Sequence, residues 1–77
     1  MTHTPNRRVR IAKAIQATME QQGVTPAQLA AAAGISIAQI LRRLEGKRPF
    51  FLDELAAIAS RLNTTASDIS RRTDVTA

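Results

Sequence analysis

A capping hydroxyl and a glycine alternate along this chain, and that punctuation leaves it little choice of fold. The stretch from Thr25 to Gly46 reads T-P-A-Q-L-A-A-A-A-G-I-S-I-A-Q-I-L-R-R-L-E-G. Thr25 is placed to cap a helix whose first position is Pro26, where the missing N–H costs nothing. Gly34 supplies the positive φ that ends such a helix in a tight turn, and Ser36 caps the next one, which runs to about Glu45 and is closed by Gly46. Two short helices folded about a glycine, with Lys47-Arg48-Pro49 directly behind them, are the core of the pattern.

The flanking segments extend it. Ile11, Ile15, Thr18 and Met19 share one face of a helix that starts at Arg7 and ends at Gly23. The helix from Pro26 to Ala33 is nearly all alanine after Leu29, which favours helix and lets a neighbour approach closely. A fourth helix begins at Phe50 or Phe51, carries a stripe of Phe51, Leu52, Leu55, Ile58, Ala59 and Leu62, and stops at Asn63. Thr65 with Asp68 three residues on resembles a capping box for a last helix anchored by Ile69. Connections of two to six residues and the absence of repeats imply an all-α, five-helix single domain. A chain of 77 residues buries only about 60 % of its unfolded surface, so one core is all it holds. The expected organisation is a flexible arm over residues 1–6, a folded domain over 7–70 and a tail over 71–77.

Eleven Lys and Arg oppose six Asp and Glu, for a net charge of +5, and the cations are clustered. Arg7, Arg8, Arg10 and Lys13 form one block, Arg42, Arg43, Lys47 and Arg48 a second, and Arg71 with Arg72 a third. Such clustering favours a polyanionic partner over a merely solvated surface. With no Cys there is no disulfide framework, thiol nucleophile or thiolate metal site. No apolar run approaches the roughly 18 residues of a membrane span, and the basic N-terminus lacks a signal peptide's apolar segment, so the expected location is cytoplasmic. Catalysis is not expected. His3 is the sole histidine, Asp53 and Glu54 are adjacent on one helix and diverge, and no P-loop pattern is present. Neither a cofactor nor a metal is implied.

Taken together, G-V-T-P-A-Q-L-A-A-A-A-G-I-S-I-A-Q-I, the following G-K-R-P and then L-x-x-I-A-x-x-L resemble the Cro/C1-type (XRE) helix-turn-helix family of phage repressors and bacterial regulators. The similarity runs from about Arg10 to Ile69 and includes Ala30, Gly34, Ser36 and Ile40. It implies a lambda-repressor-like DNA-binding domain and a transcriptional regulator, a repressor, acting on nucleoid DNA with Ser36 to Glu45 as recognition helix. It also implies a homodimer, either a weak dimer in solution or a monomer that pairs only on DNA, because one such helix covers a half-site. Three departures stand out. Where relatives often pair an Arg late in the first helix with a Glu late in the third, this chain aligns Met19 and Leu44, which are expected to touch. Where relatives place a phosphate-binding Gln, it has Pro26, leaving Thr25, Gln28 and the helix dipole as substitutes. Finally, Ile37, Ala38 and Leu41 occupy positions where relatives carry polar base readers.

That apolar face has two explanations. Ile37 lies at the edge of the core-facing side and either packs inward or, with Ala38, meets thymine methyl groups in the major groove. Gln39 is then suited to adenine and Arg42 to guanine, with Ser36 beside them as a further base reader. Arg43, Lys47, Arg48, Arg7, Arg8 and Arg10, with Thr25 and Gln28, are the candidate phosphate contacts. A rival reading keeps the fold but makes the domain a protein-interaction module that docks a partner through the apolar third helix and Phe50.

Overall fold

The computed structural model describes residues 7–74, so the expected arm, with His3, and residues 75–77 of the expected tail lie outside the described residues. Five helices follow in chain order: α1 (Arg7–Gln22), α2 (Pro26–Ala33), α3 (Ile37–Leu44), α4 (Leu52–Arg61) and α5 (Ala66–Asp74). There is no strand among the described residues. The fifth helix runs on to Asp74, four residues beyond the boundary expected at residue 70.

Four of the helices end by one device. One or two residues past the end of each the chain turns left-handed, at Gly23, Gly34, Gly46 and Asn63, and the next N–H reaches back five residues. Val24 donates to Met19, Ile35 to Ala30, Lys47 to Arg42 and Thr64 to Ala59, at 2.8 to 3.1 Å. These bonds satisfy carbonyls the helix itself leaves open. Asn63, at φ 57°, is the one non-glycine among them, and Asn tolerates that region better than most residues. Gly46 has a second reason to be glycine: a Cβ there would stand 2.8 Å from Val9 Cγ2, so α1 begins hard against the turn that follows α3.

Ile15, Leu29, Ile40, Ile58, Leu62 and Ile69 are fully buried, and removing each from water contributes about 1.5 to 3 kcal/mol. Helix α1 packs on α3 and α5, α2 on α3 and α4, and α4 on α5. Met19 and Leu44 are both buried members of this core and line one groove, where the sequence paired them. The Gln16 amide closes the same corner by donating to the Leu44 carbonyl.

The start of α4 corrects the expected stripe. Leu55, Ile58, Ala59 and Leu62 carry it, whereas Phe51 is exposed and Leu52 is 77 % exposed. Phe51 is the N-cap residue, still in extended conformation, so the helical period that aims side chains inward begins only after it. Phe50 instead packs partly buried against the core.

Candidate nucleic-acid interface

Helices α2 and α3 are started by matching reciprocal caps. Ser36 Oγ accepts the Gln39 N–H at 3.1 Å, and the Ser36 N–H donates to Gln39 Oε1 at 3.0 Å. Thr25 and Gln28 do the same for α2 at 3.2 and 2.9 Å. Each pair satisfies two donors that a helix start leaves unpaired. The caps also orient the glutamines. Gln39 Oε1 has one of its two lone pairs engaged by the Ser36 N–H, which leaves the second lone pair and both Nε2 donors for a ligand.

Along α3, Ile40 and Leu44 point inward, while Ile37 is 51 % exposed and Leu41 45 %. Ile37 therefore belongs to the outward face, beside the exposed Ala38 and Arg42. Gln39, Arg42 and Arg48 line a cleft of 370 Å³ that Arg43, Pro49 and Phe51 complete.

Arg43 does not join the phosphate-contacting cations expected of it. It is only 8 % exposed. Its Nε donates to Glu54 Oε1 at 2.9 Å and its Nη2 to Glu54 Oε2 at 3.2 Å, a two-pronged pairing between α3 and α4. A third bond runs from Nη1 to the Gln39 carbonyl at 3.2 Å, and the guanidinium lies 5.7 Å from the Phe51 ring centre. A guanidinium bound on both edges and covered on one face has little left for a ligand. Glu54 was missed by the sequence reading. Its signal is its place three residues after the α4 N-cap, where its carboxylate also accepts the Phe51 N–H at 3.1 Å.

Most of the other described cations lie open. Lys47 and Arg48 are exposed on the loop after α3, and Lys47 pairs with exposed Glu45 at 3.6 Å, an interaction of small energy. Arg7 and Arg8 are exposed at the start of α1. Arg8 Nη1 donates to the Lys47 carbonyl at 3.4 Å, which brings the first and second basic blocks together. Arg7, Arg8, Ile11 and Phe50 share a cleft of 310 Å³ with Pro49, which also lines the Arg42 cleft, so the two clefts adjoin. Arg10 is half-buried and its Nε is without a hydrogen-bond partner. Thr25 and Gln28 are exposed at the start of α2. In the third block, Arg71 pairs with Asp68 at 3.0 Å within α5. Among the described residues, no cluster of metal-ligating side chains occurs, and no helix is long and apolar enough to cross a membrane.

A short capped helix with an exposed face, braced by a second capped helix and bordered by cations, defines the helix-turn-helix class of DNA-binding domain. The helix-turn-helix family model matches residues 15–69, and the chain belongs to that family, a DNA-binding regulator rather than an enzyme. Two solved structures share the fold. A crystal structure of the clp gene regulator ClgR from Corynebacterium glutamicum superposes with a TM-score of 0.84 at 22 % identity, covering 90 % of this chain and 73 % of that one. A second crystal structure of ClgR from C. glutamicum gives 0.84 at 20 % identity, covering 95 % and 94 %. No curated protein matches the chain.

Proposed function

We propose that this chain is a sequence-specific double-stranded-DNA-binding repressor that lays α3 in the major groove. Arg42 reads guanine, Gln39 and Ser36 donate to neighbouring base edges, and Ile37 with Ala38 meets thymine methyls. Lys47, Arg48, Arg7 and Arg8 hold phosphates, and the Thr25 hydroxyl and Gln28 amide add neutral donors at the start of α2. Arg10 joins them through the outer nitrogens of its guanidinium. The observation that supports this reading is the adjoining pair of clefts, one lined by Gln39, Arg42 and Arg48 and the other by Arg7 and Arg8, which meet at Pro49. The fold shared with ClgR, a protein described as a gene regulator, agrees with it. A half-site of this size is read in pairs, so two copies bind sites about 34 Å apart. Repression then follows from covering a promoter, in the cytoplasm.

The test is selection of bound duplexes from a random DNA pool, followed by titration of the enriched site at several salt concentrations. Five phosphate-binding cations per protomer predict a slope of log K against log salt of about −4.5, doubled for a dimer. Arg42→Ala is expected to lose about 1 to 3 kcal/mol of discrimination at one base pair. Lys47→Ala weakens all DNA alike and lowers the slope by about 0.9. Binding unmoved by salt or by either change would instead favour a protein-interaction module docking through Ile37 and Leu41. Phe50, half-buried against the core, offers little to that alternative.

A further inference from the structure

The helix proposed to read bases has no backbone support from the helix that follows it. Helix α3 packs on α1 and α2, but no Cα of α3 comes within 8 Å of one in α4. Between the two runs the loop that carries Lys47 and Arg48. If that loop shifts, the phosphate grip moves relative to the base-reading face. Such a displacement of about 1 Å is enough to spoil a hydrogen-bonded contact.

Among the described residues, the hydrogen bonds that cross this gap come from one guanidinium. Arg43 grips the Gln39 carbonyl in the first turn of α3 at 3.2 Å and both oxygens of Glu54 in the first turn of α4 at 2.9 and 3.2 Å. Glu54 in turn holds the Phe51 N–H at 3.1 Å, where the loop enters α4. The Phe51 ring, exposed to solvent, lies over the guanidinium. Three residues thereby meet one planar group: Gln39 at the start of the reading helix, Glu54 at the start of α4 and the ring of Phe51, whose own N–H is held through Glu54. Lysine has no such fork, since a point charge on a flexible stem cannot set these angles together.

Resting on the DNA-reading function proposed above, we infer that Arg43 is a positioning residue for sequence specificity: with Glu54 it sets the orientation of α3 relative to the phosphate-gripping loop. It touches no base. Its removal therefore costs discrimination between sites rather than general affinity for DNA.

The double variant Arg43→Met/Glu54→Leu tests this. It removes one charge of each sign, so the net charge is unchanged, and apolar residues of similar volume can replace a buried ion pair without loss of stability. For the wild type, the double variant, Arg43→Lys and Glu54→Gln, the ratio of affinity for the selected duplex to that for random duplex is measured, with salt slope and Tm. The expected result is a ratio at least tenfold lower in the double variant, with random-duplex affinity and salt slope retained. Arg43→Lys and Glu54→Gln fall in the same direction, and they carry the test if the double variant does not fold. A wild-type ratio kept by every folded variant overturns the positioning role alone. A wild-type chain that enriches no duplex overturns the DNA-reading function itself, and the inference with it.

Discussion

Replacing Gly46 by alanine measures how tightly the start of α1 is held against the loop behind α3, and Gly34 supplies the control. Both glycines end a helix in the left-handed region, at φ +80° and +72°. Placing an L-residue there costs about 1 to 2 kcal/mol at either position. Their surroundings differ. A Cβ on Gly34 meets nothing within 4 Å, whereas one on Gly46 meets Val9 Cγ2 at 2.8 Å and Val9 Cα at 3.4 Å. A 2.8 Å contact forces Val9 or the α1 backbone to move, an overpacking cost of about 1 to 3 kcal/mol. Gly34→Ala is thus expected to lose about 1 to 2 kcal/mol and Gly46→Ala about 2 to 5 kcal/mol. A domain of this length holds about 4 to 11 kcal/mol in total, so the second loss is serious. The assay is urea unfolding followed by far-ultraviolet circular dichroism, because the chain has neither Trp nor Tyr. Adding Val9→Ala removes the offending methyl and should restore part of the Gly46→Ala loss while giving nothing back to Gly34→Ala. Equal losses at the two glycines, or no rescue by Val9→Ala, would refute the close approach.

Ser36→Ala deletes the acceptor of the Gln39 N–H at 3.1 Å and is expected to lower unfolding free energy by about 0.5 to 2 kcal/mol, with Ser36→Gly costing only a few tenths. Met19→Arg or Leu44→Glu alone buries an unpaired charge and should cost about 3 to 5 kcal/mol, while the two together restore the ion pair of relatives and recover most of it. Thermal unfolding of the three variants decides the matter, and strictly additive losses would break the pairing of the α1 end with α3.

The helix boundaries were legible because each is a local event. A hydroxyl accepting an N–H three residues on, or a glycine turning left-handed, involves only neighbours in sequence, and Thr25, Ser36, Gly23, Gly34 and Gly46 all act where their types suggested. Phe51 and Leu52 were misread for the complementary reason. Being apolar says that a side chain gains from burial, not that anything arrives to bury it, and at the first turn of α4 the other described residues leave Leu52 77 % exposed. The candidate phosphate contacts among the cations were likewise proposed from clustering alone. Clustering could not show that Arg8 reaches the Lys47 carbonyl across 39 residues of chain, or that Arg43 leaves the group.

Arg43 and Ile37 make the limit concrete. Each lies three residues from Ile40, one after and one before, so on a helix of 3.6 residues per turn each is rotated about 60° from the core direction, in opposite senses. With Leu44 also inward on the Ile37 side, a helical wheel would bury the isoleucine on position as well as on side-chain type. The fold does the reverse, leaving Ile37 51 % exposed and Arg43 8 % exposed. The difference lies in what stands beside each flank. On the Arg43 side, Glu54 supplies an acceptor for each of two donors and Phe51 a cover, which meets the requirement that a buried charge be paired. On the Ile37 side, no such cover comes from the other described residues, and an exposed isoleucine violates no hydrogen-bonding demand. On the proposed function this asymmetry sets the character of the reading face. Of the two cations in α3, the fold spends Arg43 on holding the helix and leaves Arg42 outward among Ile37, Ala38 and Leu41. Methyl contacts distinguish thymine but impose little angular constraint, so the orientation of the site rests on one guanidinium at the bases and a second, unseen by the DNA, behind them.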